Sequence, residues 1–125
     1  MKRNEYILYG LEKHKEIIDE IISNIHNHEH SFDIRLILTE ALSNAFKHGN
    51  ENDVSKPIYL KSIYNGSSIE FEIQDSGTGF ESITIREHIS DDNLLDDYGR
   101  GLFLIKSIAD KIELRDNTLI IQKNL

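Results

Sequence analysis

The chain has 125 residues, no cysteine, and 22 acidic against 14 basic side chains for a formal charge of -8. That length accommodates one domain, expected over residues 1–125, while the acidic balance repels nucleic-acid phosphates and anionic membranes. The lack of thiols excludes a disulfide framework and a thiolate metal site. No apolar run approaches a membrane span, and Met1-Lys2-Arg3-Asn4-Glu5-Tyr6 has no apolar core of a signal peptide behind it, so a cytoplasmic protein is expected.

In chain order, residues 6–11 read as a short first strand. Ile17, Ile18, Ile21, Ile22 and Ile25 then recur at helical spacing through a charged stretch, predicting an amphipathic helix. Ser31 is placed as the N-cap of a second helix over residues 32–48, in which Ile34, Leu38, Ala41, Leu42 and Ala45 share one face, and Gly49-Asn50 supplies its stop. From Pro57 the pattern turns to strand. Residues 58–64 are rich in β-formers, Asn65-Gly66 marks a hairpin, and Ile69, Phe71 and Ile73 alternate with Glu70, Glu72 and Gln74. An acidic, weakly periodic stretch runs to Tyr98. Leu102, Phe103, Ile105, Ile108 and Ala109 then return to helical spacing, and two closing strands flank Asp116-Asn117. The order βααββ, loop, αββ predicts an α+β fold, a two-layer α/β sandwich with a mixed, mainly antiparallel sheet buried on one face and solvated on the other.

Three short motifs carry the candidate chemistry. Glu40, Asn44 and His48, four residues apart, line up within roughly 80° of one helix face. A carboxylate, an amide oxygen and an imidazole on one cavity can position a nucleophile, ligate Mg²⁺ and contact a phosphate. The same stripe by itself reads more simply as the exposed polar face of an amphipathic helix. Asp75-Ser76-Gly77-Thr78-Gly79-Phe80 follows the cleanest strand. Its Asp can accept a hydrogen bond from the exocyclic amine of adenine, and Gly77 and Gly79 let backbone approach a flat ring, although an Asp/Gly turn has the same composition. Tyr98-Gly99-Arg100-Gly101-Leu102 opens the third helix, where free amides and the helix dipole favour a polyphosphate and Arg100 can add charge. It is neither a Rossmann fingerprint nor a Walker loop.

The conjunction Glu-x-x-x-Asn, Asp-x-Gly-x-Gly, Gly-x-Gly, each on the element it needs, is much rarer than any member. At this point the chain resembles the N, G1 and G2 boxes of the GHKL ATPase superfamily, and within it the small anti-sigma-factor serine/threonine kinases of Gram-positive bacteria. The resemblance implies ATP and Mg²⁺ as cofactors, Asn44 as the metal residue and Glu40 as the catalytic base. It also implies Asp75 with Gly77 and Gly79 around adenine, and Gly99, Arg100, Gly101 and Leu102 at the phosphates, to which the stripe adds His48 as a candidate ATP contact. Thr118 matches a threonine used near adenine, although Asn117 stands where glycine is usual. The implied partners are a sigma factor and a STAS-domain anti-anti-sigma protein that is phosphorylated, and the implied assembly is a homodimer. Residues 81–98 form a candidate lid that would exclude water from the transfer. The alternative function is a non-catalytic ATP-binding switch that sequesters a regulatory partner without depending on Glu40.

Two further clusters have plainer readings. His26, His28 and His30 have the atoms for Zn²⁺ or Ni²⁺ but read more simply as a solvated connection, and Asp91, Asp92, Asp96 and Asp97 as a solvated part of the lid. His14 and His88 read as surface residues.

Overall fold

The structure, a computed structural model, describes residues 1–25, 28–76, 97–115 and 118–125 and, of residue 28 and residues 97–100, the backbone alone. The elements are β1 (Lys2–Tyr9), α1 (His14–Ser23), a 3₁₀ turn (His28–His30), α2 (Ser31–Asn44), a π turn (Ala45–Gly49), β2 (Pro57–Tyr64), β3 (Ser68–Gln74), α3 (Asp97–Ile108), β4 (Lys111–Arg115) and β5 (Thr118–Asn124). The strands form one sheet in the order β1-β2-β3-β5-β4. This bears out the α+β architecture and the element order.

Every pairing among the described residues is antiparallel, so the parallel component of the expected mixed sheet is not found there. The reason is topological. Helix α3 returns the chain so that β4 runs parallel to β3, but β5 folds back into the gap and pairs antiparallel with both. Period-two alternation sends Ile69, Phe71 and Ile73 of β3 and Leu119 and Ile121 of β5 to the inner face. There they are buried against Ile18 and Ile21 of α1, Ile34, Ile37, Leu38, Ala41 and Leu42 of α2, and Leu102 and Ile105 of α3. Each fully buried Ile, Leu or Phe contributes about 1.5–3 kcal/mol relative to exposure, so this interface holds the helices to the sheet.

Several boundaries differ from the sequence reading. β1 begins at Lys2 rather than at residue 6, because its polar first half needs only backbone partners on β2 and a solvated outer face. It ends before Gly10, whose φ of +75° turns the chain. Ser31 is already helical, and His30 occupies the cap position without a side-chain cap bond, because the 3₁₀ turn feeds straight into α2. Gly49 is not the residue that reverses the chain. The Asn50 N–H donates to the Ala45 carbonyl at 2.8 Å, and it is Glu51 and Asn52 that adopt positive φ, 54° and 62°. The Asn65-Gly66 hairpin is as expected: Gly66 has φ +95°, and the Asn65 Oδ1 accepts from the Ser67 and Ser68 amides at 2.9 and 2.8 Å. Asp116-Asn117 lies outside the described residues.

Helices α2 and α3 run antiparallel. The Lys123 Nζ donates to the last-turn carbonyl of Ile108 at 2.8 Å and lies 3.7 Å from Asp33 at the start of α2, while Gly101 near the start of α3 abuts Glu40 and Asn44. Among the described residues no helix is long and apolar enough to cross a membrane.

Candidate functional site

Helix α2 presents its apolar residues to the sheet, which leaves Glu40, Asn44 and His48 on the flank that meets α3. There they line a cavity of about 270 Å³ together with Gly101. Beside that column runs a second one, Thr39, Ser43 and Lys47, again four residues apart and facing the same cavity. The sequence reading counted only steps of four from Glu40 and so missed Lys47. The signal for it is its position three residues from Asn44, also a same-face neighbour.

Asn44 is 4% exposed, and its Nδ2 has no hydrogen-bond partner among the described residues. A buried amide that the fold leaves unused is costly, about 1–3 kcal/mol, and is the kind of group a ligand satisfies. Gly101 explains how α3 can come so close. A Cβ there would stand 2.8 Å from the Asn44 Nδ2 and 3.0 Å from the Glu40 Oε2. The glycine therefore leaves these two side chains room at the cavity wall.

The phosphate motif is divided by where α3 begins. The helix starts at Asp97, so Gly99 and Arg100 fall in its first turn, while Gly101 and Leu102 lie beyond the leading residues whose amides a helix leaves unpaired. Of Gly99, Arg100, Gly101 and Leu102, only the first two therefore stand where a helix leaves amides free. Gly101 provides close approach, and Leu102, 0% exposed, is a core residue. The Arg100 side chain is outside the described residues.

Asp75 follows the last ladder residue of β3, and strand parity turns it inward, where it is 4% exposed. It abuts Gly49, which follows His48 in the chain. A Cβ at position 49 would lie 2.1 Å from the Asp75 Oδ2 and 2.7 Å from its Cβ. Gly49 is thus demanded by the carboxylate, not by backbone reversal. The described residues arrange the site along α2 as Gly101 with Glu40 and Asn44, then His48, then Gly49 with Asp75, with Asp75 at the end of the row and outside the cavity wall.

Behind Asp75 stands a residue the sequence reading took only as a helix stop. Asn50 is fully buried. Its Oδ1 accepts from the Ser76 amide at 2.7 Å, and its Nδ2 donates to the carbonyls of Lys56 at 2.9 Å and Pro57 at 3.3 Å. The Ser76 Oγ donates to the same Pro57 carbonyl at 2.6 Å. No periodicity announces such a clamp, because its partners are backbone groups.

Thr118 does not join this group. It pairs with Gln74, sits on the outer face of the sheet, and lines a groove there with Ile7, Tyr59 and Gln74. Gly77 and Gly79, residues 81–96 of the candidate lid with His88, Asp91, Asp92 and Asp96, and His26 all lie outside the described residues, while Asp97 and Tyr98 open α3. His14 is half-buried rather than a plain surface residue, its Nδ1 bonded to the Leu11 carbonyl. Among the described residues no group of three or more His, Cys, Asp or Glu is placed to hold a metal ion.

The chain also matches known proteins in sequence. The family profile described as histidine kinase-like ATPase domain matches residues 12–123, and the chain belongs to that family. It is 37% identical over 51 residues to the anti-sigma F factor of Anoxybacillus flavithermus, a match covering 41% of this chain and 35% of that protein. To the serine-protein kinase RsbW of Listeria monocytogenes it is 26% identical over 88 residues, 66% of this chain and 56% of the relative. To the anti-sigma F factor of Oceanobacillus iheyensis it is 27% identical over 84 residues, 66% of this chain and 58% of the relative. The matches thus span between 35% and 58% of the length of these curated relatives.

Proposed function

We propose that residues 1–125 form one ATP- and Mg²⁺-dependent serine/threonine protein kinase domain that acts as an anti-sigma factor. In this reading it phosphorylates a STAS-type anti-anti-sigma protein and works as a cytoplasmic homodimer. The observation that carries the reading is the shared cavity of Glu40 and Asn44 beneath Gly101, with a buried amide that the described fold leaves unsatisfied. The names of the relatives support the choice of partner class.

The Asn44 Oδ1 suits a metal that prefers oxygen ligands and takes few from protein when nucleotide phosphates supply the rest, while the Nδ2, unpaired among the described residues, is a donor for a phosphate oxygen. Bound there, Mg²⁺ would neutralise phosphate charge. Lys47 and His48 line the same cavity and add donors for phosphate oxygens, and the first turn of α3 around Gly99 and Arg100 adds the positive end of a helix dipole. Asp75 reads the base by accepting from its exocyclic amine, with Gly77 and Gly79 shaping that pocket. Glu40 orients the acceptor hydroxyl and takes its proton on a carboxylate oxygen. The serine Oγ forms its bond to the γ-phosphorus as the bridging P–O bond to ADP breaks, and ADP leaves.

Incubating the protein with labelled ATP, Mg²⁺ and a candidate STAS protein tests the assignment. Transfer should be lost in Glu40→Ala while calorimetry still reports ATP affinity close to that of the parent. Affinity without transfer in the parent itself would favour the non-catalytic switch. No binding heat with well-folded protein would dispose of both readings.

A further inference from the structure

The Asn50 side chain makes three hydrogen bonds, one to the exit of β3 and two to the start of β2, and nothing in the phosphate chemistry requires them. Asn50 is fully buried, its own N–H is held by the Ala45 carbonyl, its Nδ2 spans the Lys56 and Pro57 carbonyls at the start of β2, and its Oδ1 holds the Ser76 N–H. One side chain therefore ties the end of the π turn to the first residue of one strand and to the exit of another. Asp75 lies between Gln74, fixed in the ladder opposite Tyr59 and Thr118, and Ser76, fixed by Asn50. Both flanks of the carboxylate are pinned, and Gly49 leaves it space on the third side.

A carboxylate that reads a purine must be placed to within a few tenths of an ångström, since hydrogen bonds weaken steeply away from their short range. It attracts the 6-amino group of adenine and repels the 6-oxo group of guanine, so its placement sets selectivity as well as affinity. We propose that Asn50 is a positioning residue for the base-reading carboxylate, holding Asp75 through the Ser76 amide and so setting the preference for a 6-amino over a 6-oxo purine. The proposal rests on the assignment of Asp75 to the base.

The test compares Mg–ATP and Mg–GTP affinities of the whole chain by calorimetry for the parent, Asn50→Ala, Asn50→Asp and Asp75→Asn, with circular dichroism confirming the fold of each. In Asn50→Ala the ATP affinity should fall about tenfold, the worth of one hydrogen bond, with GTP affinity within about twofold. Asn50→Asp keeps the acceptor for Ser76 and gives up the two donors. It should melt lower yet keep an ATP-over-GTP preference within about threefold of the parent. A folded Asn50→Ala protein with an unchanged preference overturns the proposal, because a merely structural residue lowers stability without moving base choice. Should Asn50→Ala fail to fold, Ser76→Pro decides, since it removes the N–H that Asn50 holds and leaves Asn50 in place: preference lost in the folded variant supports the clamp, preference kept overturns it. A parent without purine preference, or one whose preference survives Asp75→Asn, overturns the base-reading role of Asp75 and the clamp with it. Unchanged preference in Asn50→Ala alone overturns only the clamp.

Discussion

The two faces of the sheet come from the same five strands and have opposite chemistry. On β3, Ile69, Phe71, Ile73 and then Asp75 point toward the helices, while Glu70, Glu72 and Gln74 point away. The inner face is dry enough that the Asp75 carboxylate on it has its position dictated by neighbours: Gly49 on one side and the Asn50–Ser76 clamp behind. The outer face carries its charges in water, with Lys61 3.8 Å from Glu5 and 3.9 Å from Glu72, and Arg115 3.0 Å from Glu113. Such exposed pairs contribute little, typically about 0–1 kcal/mol. The contrast teaches that a residue one step along a strand belongs to a different environment, and that strand parity decides whether a polar side chain takes part in a site.

Four substitutions break or sharpen this contrast. Gly49→Ala should have the largest effect, because its Cβ would overlap not only the tip of Asp75 but its Cβ, which cannot swing away. Overpacking of this kind costs about 3 kcal/mol, so a melting temperature about 10 °C lower, with nucleotide binding lost, is expected in a thermal scan and a calorimetric titration. Asp75→Asn should leave the melt near that of the parent and weaken ATP binding between about tenfold and hundredfold, the worth of a hydrogen bond to a charged acceptor. Unchanged ATP affinity would remove Asp75 from the site.

On the outer face, Glu70→Gln should act in the opposite direction and weakly. Burial, then a hydrogen bond and repulsion from neighbouring Glu72, hold the Glu70 carboxyl above the ordinary glutamate value. The folded protein therefore binds this proton more tightly than the unfolded chain, and the stability so gained is present at low pH and lost as pH rises through the raised value. The glutamine variant should melt about 1–2 °C higher than the parent near neutral pH, with the difference fading in acid. A difference that grows in acid would reverse the sign. Thr118→Val should change least. With its side chain beside Gln74 and Tyr59, ATP affinity is expected within about twofold of the parent, and a tenfold loss would mean that this strand turns its other face to the nucleotide.

The elements were legible where periodicity is strong. Helix α1 from its isoleucines, α2 from Ile34 to Leu42, and the alternation of β3 all stand close to where the sequence places them. The Glu40–Asn44–His48 stripe was legible for the same reason, since residues four apart on a helix are neighbours before any tertiary contact forms. What misled were single-residue signals. Ser31 looked like a cap but follows a 3₁₀ turn that already sets helical geometry, and Gly49 looked like a stop but makes room for Asp75. Asn50 gave no readable signal, because a side chain that bonds only to backbone leaves no complementary residue in the sequence.

By itself, then, the sequence determined the alternation and helical faces, the order of elements and the composition of three motifs, because these depend on local repeat and side-chain chemistry. Only the tertiary structure decided that Thr118 faces outward, that β5 separates β3 from β4, and that Gly49 and Gly101 are demanded by close approach. Those outcomes depend on which segments meet across the layers. Meeting is settled by burial of the shared apolar face, which no single stretch of the chain contains.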